Sequence, residues 1–451
     1  MPTRRVGQLG MGCKRVSDAE TVIRGGSIVT PAGVARANIH IVSQRIAAVG
    51  LLLDAPGAQQ VDASDLLILP GLIDVHVHVR EPGATDKEDW LTATRAALAG
   101  GVTTILDMPN NDPPTTSADG VYEKLALAAQ RAVCDFGVYL GATAENVGLA
   151  AQLSGTIAGL KIYLGSTTGS LLTDDWSLLY RHLRATPANI PVVVHAEDEQ
   201  CLRAFAGSST IDHNLNRPPI CAELAVAHVI AAGRAAGRGA HVAHVSTPEE
   251  VAAIAAARRY VPDLTCEVCP HHLFLTANDA IRLGGWGKVN PPLRPESLVS
   301  RLWQALPDVD IIATDHAPHT PAQKQCDYAA APAGFPGLES LLPLLLLAVR
   351  EGRLTLPRLV ELTSAAPAQL FHLAGKGGIA AGLDADLVLL DPAAETVVVA
   401  DRLETKAKGT PFVAWTLPGR IQGLWRRGER VIEGGVLQVV PGSGRRARLM
   451  R

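Results

Sequence analysis

The sequence predicts an α/β protein: a (β/α)8 TIM-like barrel with a small β-sandwich domain built from both termini. Eight apolar, strand-like runs alternate with alanine-rich segments of helical composition through the middle of the chain. Short β-type runs separated by Gly, Pro and Asp occur both before and after this region. Ionisable residues recur at the ends of several of the eight runs, as the active face of a barrel requires.

The length of the chain, 451 residues, exceeds what one core usually holds, so a large domain with a smaller companion is expected. Residues 1–20 show weak periodicity and are predicted to form a flexible arm. Residues 21–68 and 373–451 are predicted to close one β-sandwich domain, and residues 69–372 to form the barrel. The formal net charge is −3 without a run of one sign, which gives no indication of nucleic acid or an anionic membrane as a partner.

The eight predicted barrel strands follow one another along the chain. They are LLILPGLIDVHVHV, TTILDMP, DFGVYLGAT, GLKIYL, PVVVHAE, HVAHVS, LTCEVCP and DIIATDHAP. Segments such as WLTATRAALAGG and AELAVAHVIAAGRAAG lie between them and have the composition of helices. A doubly wound open sheet is the alternative, and we disfavour it because polar residues recur at the ends of many strands.

The cysteines indicate a reducing compartment. Seven are present, an odd and scattered set that is typical of reduced thiols. No apolar segment follows the basic residues near the N-terminus, so we expect no signal peptide. The apolar run from Leu341 to Val349 is too short to cross a bilayer. We therefore expect a cytoplasmic protein.

The first barrel strand carries two histidines with metal-binding spacing. Residues i and i+2 of a strand point to the same face, so His76 and His78 should project from one wall. Further ionisable residues end later strands: Lys161 in the fourth, His195 in the fifth, His244 in the sixth and Asp315 in the eighth. A lone histidine or aspartate is usually a hydrogen-bonded core residue, but six such residues at successive strand ends indicate one site.

Four imidazoles and a carboxylate suit Zn²⁺ or a similar divalent cation, and they are too many for one open catalytic site. We therefore expect two cations, which at roughly 3.5–4 Å apart need an anionic bridge. A charged Lys161 would repel them, whereas neutral lysine can add CO₂ to give a bridging carbamate, and burial with adjacent cations favours the neutral amine. A hydroxide held between the metals would be the nucleophile, and Asp315 could bind one metal and shuttle a proton.

Other polar residues indicate the substrate. Arg80 follows the paired histidines by two residues and should face the same site, where its guanidinium can pair with a carboxylate. Asn110, in DMPNN after the second strand, and Asn290, in KVNPPLR after the seventh, can supply amide donors and acceptors. His319 follows the eighth strand in DHAPHT. Together they indicate a small anionic substrate that carries amide groups.

Three further motifs are expected to be structural. Cys266-x-x-Cys269 has redox or zinc spacing, but it is a single pair within a strand. The following His271 and His272 are expected to pack or to support ligands rather than to bind metal. The segment GSTTG, residues 165–169, lacks the GK[ST] of a phosphate loop and is expected to be a mobile loop over the site.

The ordered set of motifs resembles that of the cyclic amidohydrolases, and within them the lysine-bearing dihydroorotases. The motifs are DVHVHVREPG, DMPN, GLKIYL, HAED, HVST, CEVCPHH, KVNPPLR, ATDHAPH and GFPGLE. The resemblance covers nearly the whole chain beyond the N-terminal arm. It implies a binuclear zinc barrel with a β-sandwich, and reversible interconversion of (S)-dihydroorotate and N-carbamoyl-L-aspartate in pyrimidine (UMP) biosynthesis.

The resemblance also assigns roles to individual residues. It implies these ligands for two Zn²⁺ per subunit: His76, His78, Lys161 as N6-carboxylysine, His195, His244 and Asp315, with Asp315 also the acid/base. It implies substrate contacts from Arg80, Asn110, Asn290 and His319, backbone contacts near Ala333 and Gly334, and a loop contact from Thr167. The sequence departs from the family at Asn111, where Thr is common, and many bacterial relatives carry Asp at the position of Lys161.

Two other functions stay open at this point. An allantoinase or hydantoinase would share the metal ligands, but Arg80, Asn110 and His319 argue against it. A non-catalytic scaffold for a transcarbamoylase is the second alternative, and relatives of that kind typically lose metal ligands, all of which are present here. The partners expected are a small-molecule substrate, a second copy of the chain in a homodimer, and aspartate transcarbamoylase.

Overall fold

The computed structural model describes residues 20–450, which form three β-sheets and the helices around one of them. The predicted N-terminal arm lies outside the described residues except for Glu20, which begins the first strand. The strands before the barrel are β1 (Glu20–Arg24), β2 (Ser27–Thr30), β3 (Gly33–Arg36), β4 (Asn38–Val42), β5 (Arg45–Gly50), β6 (Gln59–Asp62) and β7 (Leu67–Pro70). The barrel strands are β8 (Leu72–Val77), β9 (Val102–Asp107), β10 (Asp135–Gly141), β11 (Gly159–Tyr163), β12 (Val192–His195), β13 (His241–Val242), β14 (Thr265–Val268) and β15 (Ile311–Ile312). The strands after it are β16 (Leu387–Val397), β17 (Thr416–Arg426), β18 (Glu429–Glu433) and β19 (Val436–Leu437).

Two of the sheets are built from the ends of the chain. A four-stranded sheet has the order β5-β4-β1-β6, and a seven-stranded sheet has the order β19-β18-β17-β16-β7-β2-β3. The second sheet joins the two ends directly, because Leu67–Pro70 pairs antiparallel with Leu387–Leu390. An apolar cluster that includes Ile23, Ile39 and Trp425 draws side chains from both sheets. Burial of such side chains holds the two sheets face to face.

The run LLILPGLIDVHVHV supplies two strands rather than the single barrel strand expected from the sequence. β7 belongs to the seven-stranded sheet, and β8 begins the barrel. Gly71 separates them at a point where a Cβ atom would overlap the side chain of Thr103. The close approach of Thr103 explains why the chain needs glycine where it passes from one sheet to the other.

The eight barrel strands run parallel, and their order in the sheet is their order in the chain, from β8 to β15. A bridge between Val77 and His316 joins the first strand to the segment after the last. The amide of His78 also donates to the carbonyl oxygen of His316 at 2.8 Å. Sequential order with closure is the topology of a (β/α)8 barrel and not of a doubly wound sheet, so the predicted fold class is confirmed.

Helices follow most of the barrel strands. They are α1 (Trp90–Ala99), α2 (Ala118–Arg131), α3 (Leu149–Gln152), α4 (Trp176–Ala185), α5 (Glu199–Phe205), α6 (His213–Asn216), α7 (Pro219–Ala236), α8 (Pro248–Ala257), α9 (Pro270–Phe274), α10 (Ala277–Leu283), α11 (Glu296–Ala305), α12 (Pro321–Lys324), α13 (Leu341–Arg350), α14 (Leu356–Val360) and α15 (Ala366–Leu370). Side-chain caps fix their starts: Asp89 accepts from the amide of Thr92 and Thr247 from that of Glu250. Within residues 20–450, α7 is the one helix long and apolar enough to cross a membrane, and it packs against α4 and α8.

The last residues of the chain leave the seven-stranded sheet and lie along the barrel, although the sequence placed residues 373–451 together in the β-sandwich. The amide of Phe136 donates to the carbonyl of Arg445 at 3.0 Å, and the amide of Ala447 donates to the carbonyl of Phe136 at 2.8 Å. Ala447 also joins an apolar cluster with Val75 and Tyr139. These contacts lie near the amino-terminal end of β10, so the tail covers the end of the barrel that is opposite the histidines.

Candidate active site

The six residues predicted to bind metal all lie at the carboxyl-terminal face of the barrel. His76 lies within β8, and His78 follows its last residue. Lys161 lies in β11 and His195 ends β12. His244 and Asp315 come shortly after β13 and β15, and both adopt positive φ, 37° and 48°. The structure therefore brings together at one mouth six side chains that are widely separated in the sequence.

The imidazoles and the carboxylate form a continuous cluster. Nε2 of His78 lies 2.9 Å from Oδ1 of Asp315, and Nε2 of His76 lies 3.3 Å from the same oxygen. Nδ1 of His195 lies 2.9 Å from Nε2 of His244. The ring centroids of His76 and His244 are 5.2 Å apart, which links the two pairs. This spacing places several nitrogen donors and one carboxylate around a single small volume.

The donors are in the protonation states that a divalent cation requires. Burial lowers the pKa of His78 and His244 well below the ordinary value, so both rings are neutral. Nδ1 of His244 and Nζ of Lys161 are buried and have no hydrogen-bond partner among residues 20–450. Buried nitrogen atoms normally have a partner, so both of these atoms are available to a bound group. Neutral imidazole and carboxylate are the ligands that Zn²⁺ and similar ions take.

Lys161 has the chemistry needed to form a carbamate. Its side chain is fully buried, and its Nζ lies 5.2 Å from the centroid of the Tyr163 ring. Burial lowers the pKa of Lys161 to about 8, although Glu267 and Asp315 act in the opposite direction. A pKa of about 8 leaves roughly a tenth of the amine neutral at pH 7, and the neutral amine is the form that adds CO₂.

Glu267 is a functional residue that sequence reasoning missed. Its Oε1 lies 2.5 Å from Nδ1 of His76 and its Oε2 lies 3.1 Å from Nε2 of His241. Burial alone would raise the pKa of Glu267, but His76 and His241 lower it below its ordinary value, so it stays a carboxylate. A carboxylate on the far nitrogen fixes the tautomer and orientation of a ligating histidine. The available sequence signal was an acidic residue in the middle of the buried run LTCEVCP.

A second carboxylate supports His195. Oε2 of Glu197 lies 3.2 Å from Nε2 of His195 and 2.5 Å from Nη2 of Arg217. Burial would raise the pKa of Glu197, but Arg217 and His195 lower it below the ordinary value. The Arg217–Glu197–His195 chain therefore holds a buried negative charge behind the cluster, which complements cations bound in front of it.

Arg80 lies in the cleft, as the sequence predicted, but a turn and not a strand places it there. β8 ends at Val77, and Arg80 adopts the left-handed conformation with φ 68°, so strand alternation does not place it. Its guanidinium is buried, with Nε donating to the carbonyl oxygen of Pro318 at 3.2 Å and Nη2 lying 3.4 Å from Nε2 of His319. No carboxylate of residues 20–450 lies within 4.0 Å of it. The site therefore holds a buried cation that lacks an anionic partner.

The other predicted substrate residues surround the cluster. Oδ1 of Asn110 lies 2.7 Å from Nδ1 of His78, so Asn110 also orients a predicted ligand. Asn290 accepts from His213 at 2.6 Å, and Nε2 of His319 lies 3.0 Å from the carbonyl oxygen of Ala333. The cleft itself is lined by the four histidines and Asp315 together with Arg80, Asn110, Tyr163, Thr167, Thr168, Val289, Asn290, Ala317, Ala333 and Gly334. Lys161 and His319 are buried and contact lining residues: Lys161 lies against Tyr163, and His319 lies against Arg80 and Ala333. Four lining residues were not indicated by the sequence: Tyr163, Thr168, Val289 and Ala317.

A second set of metal-type donors lies after β14. Donor atoms of Cys269, His271 and His272 lie within 4.8 Å of one another and are buried. Nε2 of His272 lies 3.0 Å from the carbonyl oxygen of Pro291. The set offers three donors among the described residues, whereas a closed structural zinc site has four. The prediction that these residues pack or support the site stays the simpler interpretation.

Comparisons with known proteins agree with this geometry. The Amidohydrolase family model matches residues 67–431. The chain is 43% identical over 382 residues to a dihydroorotase of Halobacterium salinarum, covering 83% of this chain and 88% of that one. It is 39% identical over 453 residues to an allantoinase of Rubrobacter xylanophilus, covering 97% and 99%. The structure superposes on L-hydantoinase of Arthrobacter aurescens with a TM-score of 0.91 and 30% identity, covering 95% and 99%.

The family match covers most of the chain, and the superposed L-hydantoinase shares its fold. The donor set at the barrel mouth fits the metal dependence that is general in this family. The chain belongs to the amidohydrolase family and is a hydrolase of cyclic amides.

Proposed function

We propose that this protein is a dihydroorotase that interconverts (S)-dihydroorotate and N-carbamoyl-L-aspartate in pyrimidine biosynthesis. The observation that carries the proposal is the buried guanidinium of Arg80 beside the histidine cluster, without a carboxylate partner among residues 20–450. A buried cation is costly unless it is paired. Dihydroorotate carries a ring carboxylate that can pair with Arg80, whereas allantoin and simple hydantoins lack one.

We also propose that two Zn²⁺ ions are held by His76, His78, His195, His244 and Asp315 and bridged by Lys161 as its carbamate. The support is the orphaned, buried Nζ of Lys161 next to neutral imidazoles. When bound, such ions polarise the amide carbonyl and lower the pKa of a water molecule to about 7.

Different side chains of the cleft bind the substrate and transfer the proton. Arg80 and His319 fix the ring carboxylate, and Asn110 and Asn290 supply amide groups that orient the ring. Asp315 accepts a proton from the attacking water and returns it to the ring nitrogen as the C–N bond breaks. In the reverse reaction, ring closure, Asp315 accepts the proton from the nitrogen and returns it to the departing water. Burial raises the pKa of Asp315 above its ordinary value.

The test is a comparison of dihydroorotate, allantoin and an L-hydantoin as substrates of the purified protein, with and without a chelator. We expect dihydroorotate to have the highest kcat/KM, activity to disappear on chelation, and Zn²⁺ to restore it. Absence of dihydroorotate turnover by a zinc-replete protein that hydrolyses another of the three would reject the proposal. Native mass spectrometry should show the added mass of one CO₂ in wild-type protein and not in Lys161→Ala.

An allantoinase is the second candidate function. The observation in its favour is the allantoinase relative, which matches this chain over 97% of its length, a larger share than the dihydroorotase relative covers. The same assay distinguishes the two functions because allantoin carries no ring carboxylate for Arg80.

The setting of the enzyme follows from the proposed reaction. We propose a cytoplasmic homodimer that also associates with aspartate transcarbamoylase, whose product is the open-chain substrate of this step. The proposed division into a barrel, residues 69–372, and a β-sandwich from both ends can be tested by limited proteolysis. Light scattering of the protein alone and mixed with the transcarbamoylase measures both associations.

A further inference from the structure

We infer that Tyr163 is a catalytic residue whose hydroxyl donates a hydrogen bond to the carbonyl oxygen of the amide that is cleaved. The residue ends β11, two positions after Lys161, so both side chains face the barrel interior. Its ring lies 6.0 Å from that of His195, centroid to centroid, and it lines the cleft together with Asp315 and Arg80.

The hydroxyl of Tyr163 is buried and has no hydrogen-bond partner among residues 20–450. A buried phenol normally has one, because burial removes the hydroxyl from water. Tyr139, in the adjacent strand β10, shows the ordinary arrangement, since its hydroxyl donates to the carbonyl oxygen of Val75 at 2.8 Å. The hydroxyl of Tyr139 is thus satisfied by the fold, whereas that of Tyr163, a residue that lines the cleft, has no partner in the described part of the chain.

The chemistry of a cyclic amide supplies the missing acceptor. Its carbonyl oxygen accepts a hydrogen bond in the ground state and gains negative charge when water adds to the carbonyl carbon. The step then breaks the C–N bond and leaves the former carbonyl as a carboxylate, with one proton of the water on nitrogen and the other released to solvent. Tyr163 keeps its proton throughout and acts as a fixed donor, which is worth most where charge develops.

Arg80 and Tyr163 would then recognise different parts of the substrate. Arg80 lies against Pro318 and His319, after β15, whereas Tyr163 lies on β11 near Lys161 and His195. A carboxylate at Arg80 and a reacting carbonyl beside the histidines place the two donors at separate positions on the ring. This inference rests on the chain being a cyclic amide hydrolase, as the proposed function does, but not on dihydroorotate as the substrate.

The test is Tyr163→Phe, which removes one oxygen atom and keeps the ring, with Tyr139→Phe as the matched control. We expect Tyr163→Phe to lower kcat by about 100- to 1,000-fold with little change in KM, as loss of one such donor does. Its melting temperature should stay the same or rise, since an unpaired buried hydroxyl is removed, and its metal content should not change. Tyr139→Phe should keep kcat but melt at a lower temperature, because the carbonyl of Val75 loses its donor.

Both variants are assayed on whichever of dihydroorotate, allantoin and L-hydantoin the wild-type protein hydrolyses fastest. If the wild-type protein hydrolyses one of the other substrates but not dihydroorotate, this result counts against the proposed function, and the role of Tyr163 can still be tested. A Tyr163→Phe protein with kcat within about twofold of wild type would overturn the inference. So would a fall in melting temperature as large as that of Tyr139→Phe, because the hydroxyl would then have a structural partner.

Discussion

Nδ1 of His76 lies 2.5 Å from Oε1 of Glu267, across the barrel from β8 to β14. The same carboxylate reaches His241 with its second oxygen at 3.1 Å. Glu267 therefore leaves Nε2 of His76 to face Asp315 and the cleft. A buried carboxylate in this position holds the ring in one orientation and makes its other nitrogen a stronger donor.

The first prediction follows from this contact. Glu267→Gln keeps the shape of the side chain but removes the charge, and we expect zinc affinity to fall by about 10- to 100-fold. Zinc retained against a graded series of chelator concentrations measures the change. Glu249→Gln is the control, because Glu249 pairs with Arg301 at the surface. Equal zinc affinity in wild type and Glu267→Gln would show that Glu267 does not tune the site.

The second prediction concerns the substrate carboxylate. Arg80→Met keeps an apolar stem and removes the cation, and a hydrogen bond to a charged group contributes about 1.5–3 kcal/mol. We expect kcat/KM for dihydroorotate to fall by at least about 10-fold, while any turnover of an uncharged hydantoin changes little. Metal content, measured on the same preparation, should equal that of wild type. An equal loss on both substrates would mean that Arg80 shapes the site rather than binding a carboxylate.

The positions of the metal-type donors were predictable because each one lies in or just after a barrel strand, towards its carboxyl end, and a barrel brings all such ends to one face. The positions of His195 and Asp315 could be predicted from the apolar runs that precede them, without knowledge of their contacts. Arg80 was predicted from strand alternation and lies in the cleft, yet its φ of 68° shows that a turn, not a strand, places it. The fold class and the location of the cluster thus follow from local patterns.

The support behind the cluster was not predictable, because it depends on pairings between distant parts of the chain. Glu267 is 191 residues from His76, and nothing local marks it as the partner of a histidine. The hydroxyls of Tyr139 and Tyr163 differ only in what surrounds them, which the sequence does not encode locally. The path of Ala447 onto the barrel is likewise a tertiary contact, since its neighbours carry no strong β pattern.

The third prediction concerns a buried ion pair beside the site. Nζ of Lys124 lies 2.5 Å from Oδ2 of Asp107, and it also donates to the carbonyl of Met108 at 2.6 Å. Oδ1 of Asp107 accepts from the amide of Val79 at 2.8 Å, so the pair connects α2 to the segment that carries Arg80. Burial raises the pKa of Asp107 and lowers that of Lys124, so burial disfavours both charges, and the attraction between the two groups acts against this effect.

Lys124→Met leaves the Asp107 carboxylate buried without its cation, and we expect a loss of about 3–5 kcal/mol in the free energy of unfolding. Urea denaturation measures it. The double variant Lys124→Met with Asp107→Asn removes both charges and should recover a large part of the loss. If the double variant is as unstable as the sum of the single variants, the charges are not coupled.

The fourth prediction is a dependence of stability on pH. Burial raises the pKa of Glu339 from 4.5 to about 7, against hydrogen bonds from the amides of Glu404 and Thr405 that favour the carboxylate. Because this pKa is higher in the folded state, the folded protein binds the proton more tightly than the unfolded chain does. The stabilising contribution is complete below pH 4.5 and is lost as the pH rises through about 7.

Glu339→Gln has no proton to lose, so the difference in melting temperature between this variant and wild type should grow in favour of the variant as the pH rises from 4.5 to 7. Taking the difference cancels the titration of the groups that do not interact with Glu339, which both proteins share. Glu395→Gln, at an exposed position that pairs with Arg350, should show no such trend. A difference that is constant over this range would mean that Glu339 is ionised in the folded protein at acidic pH, because its two backbone donors outweigh its burial.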